Sequence, residues 1–314
     1  MSSAFVFPGQ GSQSVGMLAS LAAADPVITD TFAEASTVLG YDLWQLVSQG
    51  PVEDLNATER TQPAMLTAGV ATWRLWRKRG GALPDVVCGH SLGEFSALVA
   101  AGVIGFADAV SLVRQRGELM QQAVPAGVGG IAAVLGLDDE VVVAACAEAG
   151  AGEVVQAVNF NSPGQVVIAG HAAAVARAMD ACKARGAKRA VLLPMSVPAH
   201  SALMQPAADR FGERLAAVAF SDPSIAYWSP VDCQAHADGA AIRALMQKQL
   251  ASPVQWTSLV RALIAAGVTH FVECGPGKVL TSLNRRIEKR PDLRCEALED
   301  PASIDAALNP TGAA

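Results

Sequence analysis

Three observations predict an α/β fold with a mostly parallel sheet, helices on its faces and a small inserted domain. Short apolar runs alternate with stretches of helical periodicity from the start of the chain. Three of these runs end abruptly in glycine-rich turns, as strands feeding a ligand crevice do. Past a glycine-rich break at Pro125 to Gly130, the order changes to β-α-β-β-α-β. A chain of 314 residues accommodates a main domain over 1–124 and 197–314 and an insertion over 125–196.

In chain order, Ala4 to Phe7 reads as a strand that ends at Pro8-Gly9-Gln10-Gly11-Ser12-Gln13. This turn lacks both dinucleotide spacing and a Gly-Lys-Ser/Thr ending, so it reads as a place where backbone approaches a ligand, with Gln10 at its tip. Helical periodicity covers Ala19 to Leu39 and Thr61 to Arg79. Val86-Val87-Cys88 then forms a buried strand that runs into Gly89-His90-Ser91-Leu92-Gly93-Glu94, and Phe95 to Ala101 reads as a helix. The pattern is that of a nucleophile elbow. Glycines permit the sharp strand-to-helix turn, and Ser91 is thrust out at a helix N-terminus whose free N–H groups can receive an oxyanion.

The next helix, Asp108 to Ala123, separates its two arginines by face. Arg114 pairs with Glu118 four residues on, whereas Arg116 is bracketed by Leu112, Val113, Leu119 and Met120. A cation on the apolar side either snorkels to the surface, meets a structural carboxylate, or grips a ligand anion, most naturally a carboxylate. The inserted domain follows, with strands Ile131 to Leu137, Val154 to Asn159, Val166 to Ala169 and Arg189 to Leu193, and helices Asp138 to Ala149 and Ala172 to Arg185. Its order is ferredoxin-like. Pro194 to Pro198 returns the chain to the main domain, and His200 stands on a loop just before a helix marked by Leu203, Ala207, Phe211 and Leu215. A strand is expected near Ile225 to Trp228, a loop over Asp232 to Gly239, helices over Ala240 to Leu250 and Val254 to Ala266, and a strand over Thr269 to Glu273 closed by Gly275-Pro276-Gly277-Lys278. The alanine-rich tail from Pro301 is expected to fray.

Composition narrows the function. The chain is 51% hydrophobic and 17% charged, as globular proteins are, with a net charge of −6. The basic run Arg285-Arg286 to Arg290 near the end is too short for a nucleic-acid surface. Six scattered cysteines show no metal or redox spacing and read as buried thiols of a reducing cytoplasm. No signal peptide is expected, and the most apolar stretch, Phe95 to Val113, carries Gly102, Gly105 and Asp108, which fits two core helices better than a membrane span.

Phe7 to Gln13, Gly89 to Glu94, Arg116 with Gly117 and Met120, Asn159 to Gly170, His200, Gln249 with Pro253-Val254-Gln255-Trp256, and Gly275-Pro276-Gly277 occur in this order along nearly the whole chain. Together they closely resemble the malonyl-CoA:acyl carrier protein transacylase family of fatty acid synthesis, in its bacterial stand-alone form. The resemblance implies an α/β-hydrolase-like large domain, a ferredoxin-like small domain and a cleft between them. It implies that Ser91 is the nucleophile, that His200 is its base, oriented by the main-chain carbonyl of Gln249, and that the N–H groups of Gln10 and Leu92 form the oxyanion hole. Arg116 would hold the malonyl carboxylate, with Met120 and Asn161 also contacting substrate. The implied partners are malonyl-CoA and acyl carrier protein; no metal or cofactor is implied, and a monomer is expected. Ser229-Pro230 stands where relatives commonly carry asparagine, and Ala199 where some carry a larger or hydroxylated residue.

Two other readings compete. Asp238-Gly239 could supply the acid of a Ser-Asp hydrolase dyad, although the pair is also ordinary turn chemistry. A carrier-protein-binding scaffold with a dead site is opposed by the joint presence of Ser91, His200 and Arg116. For docking of an acidic carrier protein, Lys188, Arg189, Lys278, Arg285, Arg286 and Lys289 are candidates, set against a scattered solvated surface.

Overall fold

The computed structural model describes residues 2–125, 127–194 and 197–309. Ala126, Met195 and Ser196 in the two expected linkers, and the last five residues of the tail, lie outside them. The described chain builds two sheets. Strands β1 (Ser2–Phe7) and β2 (Val86–Gly89) belong to the first; β3 (Gly129–Leu135), β4 (Val155–Ser162), β5 (Gln165–His171) and β6 (Arg189–Leu192) form the second. The chain then returns to the first sheet with β7 (Ala226–Ser229), β8 (Gln234–His236), β9 (Val268–Glu273) and β10 (Arg294–Ala297).

The six-stranded sheet runs β10-β9-β1-β2-β7-β8, parallel throughout except for β8 at its edge. Its central strands are near-continuous apolar runs because both faces are covered by helices. On one face Phe5, Phe7 and Val87 pack into the larger core with the Thr58–Lys78 and Phe106–Ala123 helices; on the other, Ala4, Val6 and Cys88 meet Trp256, Leu259 and Leu280. The turns after β1, β2 and β9 all leave the carboxyl ends of adjacent parallel strands, so the Pro8–Gln13 loop, Ser91 and the Gly275–Gly277 turn share one edge of the sheet.

The second sheet, ordered β4-β5-β3-β6, is antiparallel. Helices Asp139–Gly150 and Ala172–Ala184 cover one face through Val142, Ala145, Val175 and Ala178. The opposite face carries Ile131, Val158, Val167 and Ala169 and turns toward the first sheet's crevice. Backbone links tie the two sheets: Val254 N–H donates to Val158 O at 2.9 Å, and Phe160 N–H to Val254 O at 3.0 Å.

Several expectations are corrected. The Ala19 to Leu39 stretch is two helices, Ala19–Ala24 and Val27–Leu39, because Pro26 cannot donate the hydrogen bond that a continuous helix requires. The Asp232 to Gly239 loop contains the short edge strand β8. The segment from Pro301 is not frayed within the described residues. Pro301–Leu308 is a helix with a reciprocal capping box between Asp300 and Ser303, and Ile304 is fully buried. Helices Leu43–Gln49, Val52–Asn56 and Val279–Ile287 and strand β10 have no counterpart in the sequence reading.

Candidate active site

Ser91 occupies the bend between β2 and the Gly93–Ala100 helix, with φ 53°, a left-handed conformation that costs a non-glycine residue about 1–3 kcal/mol. Close backbone contacts hold it there. A Cβ on Gly93 would lie 2.0 Å from Phe7 O, and one on Gly9 would lie 2.4 Å from His90 O, so the β1 loop presses directly on the bend. The approach brings Gln10 and Leu92 to the same cavity wall as Ser91. Neither the Gln10 nor the Leu92 main-chain N–H finds a main-chain acceptor among the described residues.

His200 also has a left-handed backbone, φ 65°, pinned by its own N–H to Leu250 O at 3.0 Å. Its Nε2 lies 2.7 Å from Ser91 Oγ and its Nδ1 2.9 Å from Gln249 O. A carbonyl can only accept, so Nδ1 carries the proton and Nε2 offers its lone pair to the Ser91 hydroxyl. Burial, and then the neighbouring Arg116 cation, push the imidazole down to about 3, which keeps it neutral at ordinary pH.

Arg116 is 2% exposed, so it does not snorkel. It makes no ion pair with a carboxylate among the described residues. Instead Nη1 donates to Gln62 Oε1 and Nη2 to Gln249 Oε1, both at 2.8 Å, and Nη2 also points at Ser91 Oγ at 3.4 Å. Nε is buried without a partner. Burial lowers the guanidinium to about 10, partly offset by Glu94, so it remains a cation beside the serine.

These groups open on a cavity of about 250 Å³, walled by Gln10, Ser91, Leu92, Arg116, Met120 and His200 on one side and by Ile131, Val167, Asn159 and Asn161 from the second sheet on the other. Asn161 Oδ1 bonds His90 Nε2 across the cleft at 2.9 Å. All eight residues singled out from the sequence thus come to one region: seven line the cavity, and Gln249 lies behind Ser91 and His200. Asp238 is committed elsewhere. Its carboxylate caps the Gly239–Lys248 helix, accepting from Ala241 N–H at 2.6 Å.

Three contributors escaped the sequence reading. Gln62 holds Arg116 and also donates to Met120 Sδ at 3.5 Å; an amide inside the apolar run Gln62 to Leu66 was the available signal. The Gln249 side chain, beyond its carbonyl, donates to Ser91 O at 2.7 Å and to Glu94 Oε1 at 2.8 Å. Glu94, which the sequence reading quotes within the elbow motif without giving it a role, is itself fully buried. Among the docking candidates, Arg285 is tied to Cys295 O at 2.7 Å and Lys278 to Glu299 at 3.1 Å, whereas exposed Arg286 reaches across to Gln165 of the second sheet at 2.9 Å.

The acyl transferase domain family matches residues 4–297. The chain belongs to this family. The malonyl CoA-acyl carrier protein transacylase of Salmonella typhimurium is 59% identical over 305 residues, 97% of this chain and 98% of the relative. That of Escherichia coli K12 is 57% identical over 305 residues with the same coverage. An acyl carrier protein S-malonyltransferase from Vibrio cholerae superposes with a TM-score of 0.94 at 57% identity, covering 98% of this chain and 99% of that one. A malonyl-transacylase solved in complex with its type II PKS acyl-carrier protein gives 0.96 at 53% identity, with the same coverage.

Proposed function

We propose that this acyltransferase moves the malonyl group of malonyl-CoA to the phosphopantetheine thiol of acyl carrier protein through an ester on Ser91, supplying fatty acid chain elongation. The observation that carries this reading is a buried guanidinium, unpaired with any carboxylate among the described residues, 3.4 Å from a serine hydroxyl that is itself 2.7 Å from a neutral imidazole. A hydroxyl, a base and a waiting cation in one cavity suit an acyl unit that ends in a carboxylate.

In the first half-reaction His200 Nε2 takes the Ser91 proton as Oγ attacks the thioester carbonyl. The main-chain N–H groups of Gln10 and Leu92 receive the oxyanion, and the Nδ1–H bond to Gln249 O steadies the imidazolium. Collapse of the tetrahedral adduct breaks the C–S bond, and His200 returns the proton to the departing CoA thiol. In the second, the carrier protein's thiol gives its proton to His200 and attacks the ester carbonyl; the C–O bond breaks and Ser91 regains its proton. Arg116 holds the malonyl carboxylate through both steps, with Met120 and Asn161 bounding the acyl unit. With Ile131 and Val167 opposite, the bound group would occupy the cleft between the two sheets, which disfavours water as the second nucleophile.

We read the six-stranded sheet and its helices, 1–124 with 197–314, as an α/β-hydrolase-like domain, and 125–196 as a ferredoxin-like one; the strand order β4-β5-β3-β6 supports the latter. A monomer suffices, since one chain supplies Ser91, His200, Gln249 and Arg116. A reducing cytoplasm suits six unpaired cysteines, five of them buried. No helix of the described residues is long and apolar enough to cross a membrane. Incubation with malonyl-CoA should add one malonyl group at Ser91, detectable by peptide mass spectrometry and discharged by holo acyl carrier protein. Absence of that adduct in folded protein would refute the reading.

A further inference from the structure

Glu94 is fully buried in the first turn of the helix that follows Ser91, with no cation bonded to it. Every contact made by its carboxylate is a hydrogen bond. Tyr227 OH and Ser229 Oγ donate to Oε2, the latter at 2.9 Å, and Gln249 Nε2 donates to Oε1 at 2.8 Å. The other Gln249 amide hydrogen goes to Ser91 O at 2.7 Å, so both of that nitrogen's donors are spent and Oε1 is left facing Arg116 Nη2 at 2.8 Å. Two anchored acceptors therefore fix the amide, and the fixed amide holds one arm of the guanidinium.

From this chain of contacts we infer that Glu94 is a positioning residue for acyl-group selectivity: it holds the Gln249 amide, which in turn holds Arg116 where a malonyl carboxylate meets it. The inference rests on the proposed role of Arg116. A carboxylate that served only to satisfy the positive end of the Gly93–Ala100 helix would affect all acyl groups equally. One that aims Arg116 affects the acyl group with a distal carboxylate more than the one without. Burial raises the Glu94 carboxyl to about 7 against the pull of its hydrogen bonds, and the holding role survives protonation because either form can accept from Gln249. Tyr227 and Ser229 belong to the same device, since they stop the carboxylate from turning away.

The test compares kcat/KM for Ser91 acylation by malonyl-CoA and acetyl-CoA in wild type, Glu94→Met and Glu94→Gln, with thermal melts to report folding. Methionine keeps the volume but replaces the carboxylate oxygen with at most a weak thioether acceptor, and the malonyl-to-acetyl ratio should fall at least tenfold. Glutamine retains an acceptor, and its ratio should stay within about threefold of wild type. An unchanged ratio in Glu94→Met, or a glutamine variant as indiscriminate as the methionine one, would overturn the inference. If Glu94→Met does not fold, the double variant Tyr227→Phe with Ser229→Ala frees the carboxylate to rotate; a fallen ratio supports the inference and an unchanged one overturns it. Failure of wild type to acylate Ser91 would instead reject the proposed function, so the two failures are distinguishable.

Discussion

Replacing Arg116 by alanine tests the carboxylate assignment most directly. The guanidinium has five N–H donors, of which Gln62 and Gln249 take one each. Three remain: Nε, which is buried and without an acceptor, and one on each Nη, with Nη2 close to Ser91 Oγ. Two of these suffice for a bidentate carboxylate. At about 1.5 kcal/mol for each charge-assisted bond, the lower end of the usual range, their loss is worth about 3 kcal/mol. No solvent discount applies, because the side chain is 2% exposed. At about 1.4 kcal/mol per tenfold, the malonyl-to-acetyl ratio of kcat/KM should fall by about 150-fold. The ratio is the proper readout. Arg116→Ala also strands Gln62 and Gln249, and that damage lowers both rates together. Stopped-flow acylation with the two CoA thioesters measures it, and equal losses for malonyl and acetyl would refute the carboxylate role.

The pH behaviour of His200 follows from its burial and its cationic neighbour: the base is available wherever the imidazole is neutral, which in the free protein is everywhere above about 3. Lowering the pH from 7.5 to 5.5 should therefore leave its nitrogen NMR signals in the neutral, Nδ1-protonated form; a titration midpoint near 6.5 would contradict the geometry. Gly93→Ala places a Cβ 2.0 Å from Phe7 O at the junction of two core elements, and should cost about 3 kcal/mol in urea unfolding together with loss of Ser91 acylation; an unshifted midpoint would show that the contact yields. Arg286→Glu should raise KM for holo acyl carrier protein several-fold and leave that for malonyl-CoA unchanged, as steady-state transfer assays would show. Unchanged constants for both would remove Arg286 from the docking surface.

The sheet and the site were legible to different depths. Apolar runs at Ala4 to Phe7 and Val86 to Cys88 identify central strands because both of their faces are buried, and such strands need no partner to be recognised. Edge strands β8 and β10 are short and largely polar, Gln234-Ala235-His236 and Arg294-Cys295-Glu296-Ala297, and only tertiary pairing defines them. Ser91 was legible because its backbone conformation demands glycines on both sides. His200 has an equally unusual backbone, held by Leu250 O fifty residues on, and no local pattern encodes so distant a contact. The same holds for Glu94, Gln62 and the Gln249 side chain, whose partners are 54 to 158 residues away.

The electrostatics of this site depend on where the Glu94 carboxylate sits, behind the cavity wall rather than in it. In a Ser-His-Asp arrangement an acid bonded to Nδ1 stabilises the imidazolium and raises its basicity. Here Nδ1 meets the neutral Gln249 carbonyl, and the carboxylate of Glu94 lies one amide further away, on the path to Arg116. Burial first, and then the neighbouring guanidinium, make the free imidazole a weak base. A dicarboxylic acyl group brings the missing negative charge itself. Its distal carboxylate, seated on Arg116 as proposed, would offset the guanidinium's share of that lowered basicity, the part that burial does not cause. An acetyl group seated on the same serine supplies no such charge. On the proposed role of Arg116, selectivity would arise from the bonds made to the guanidinium and, to a lesser degree, from the basicity that those bonds return to His200.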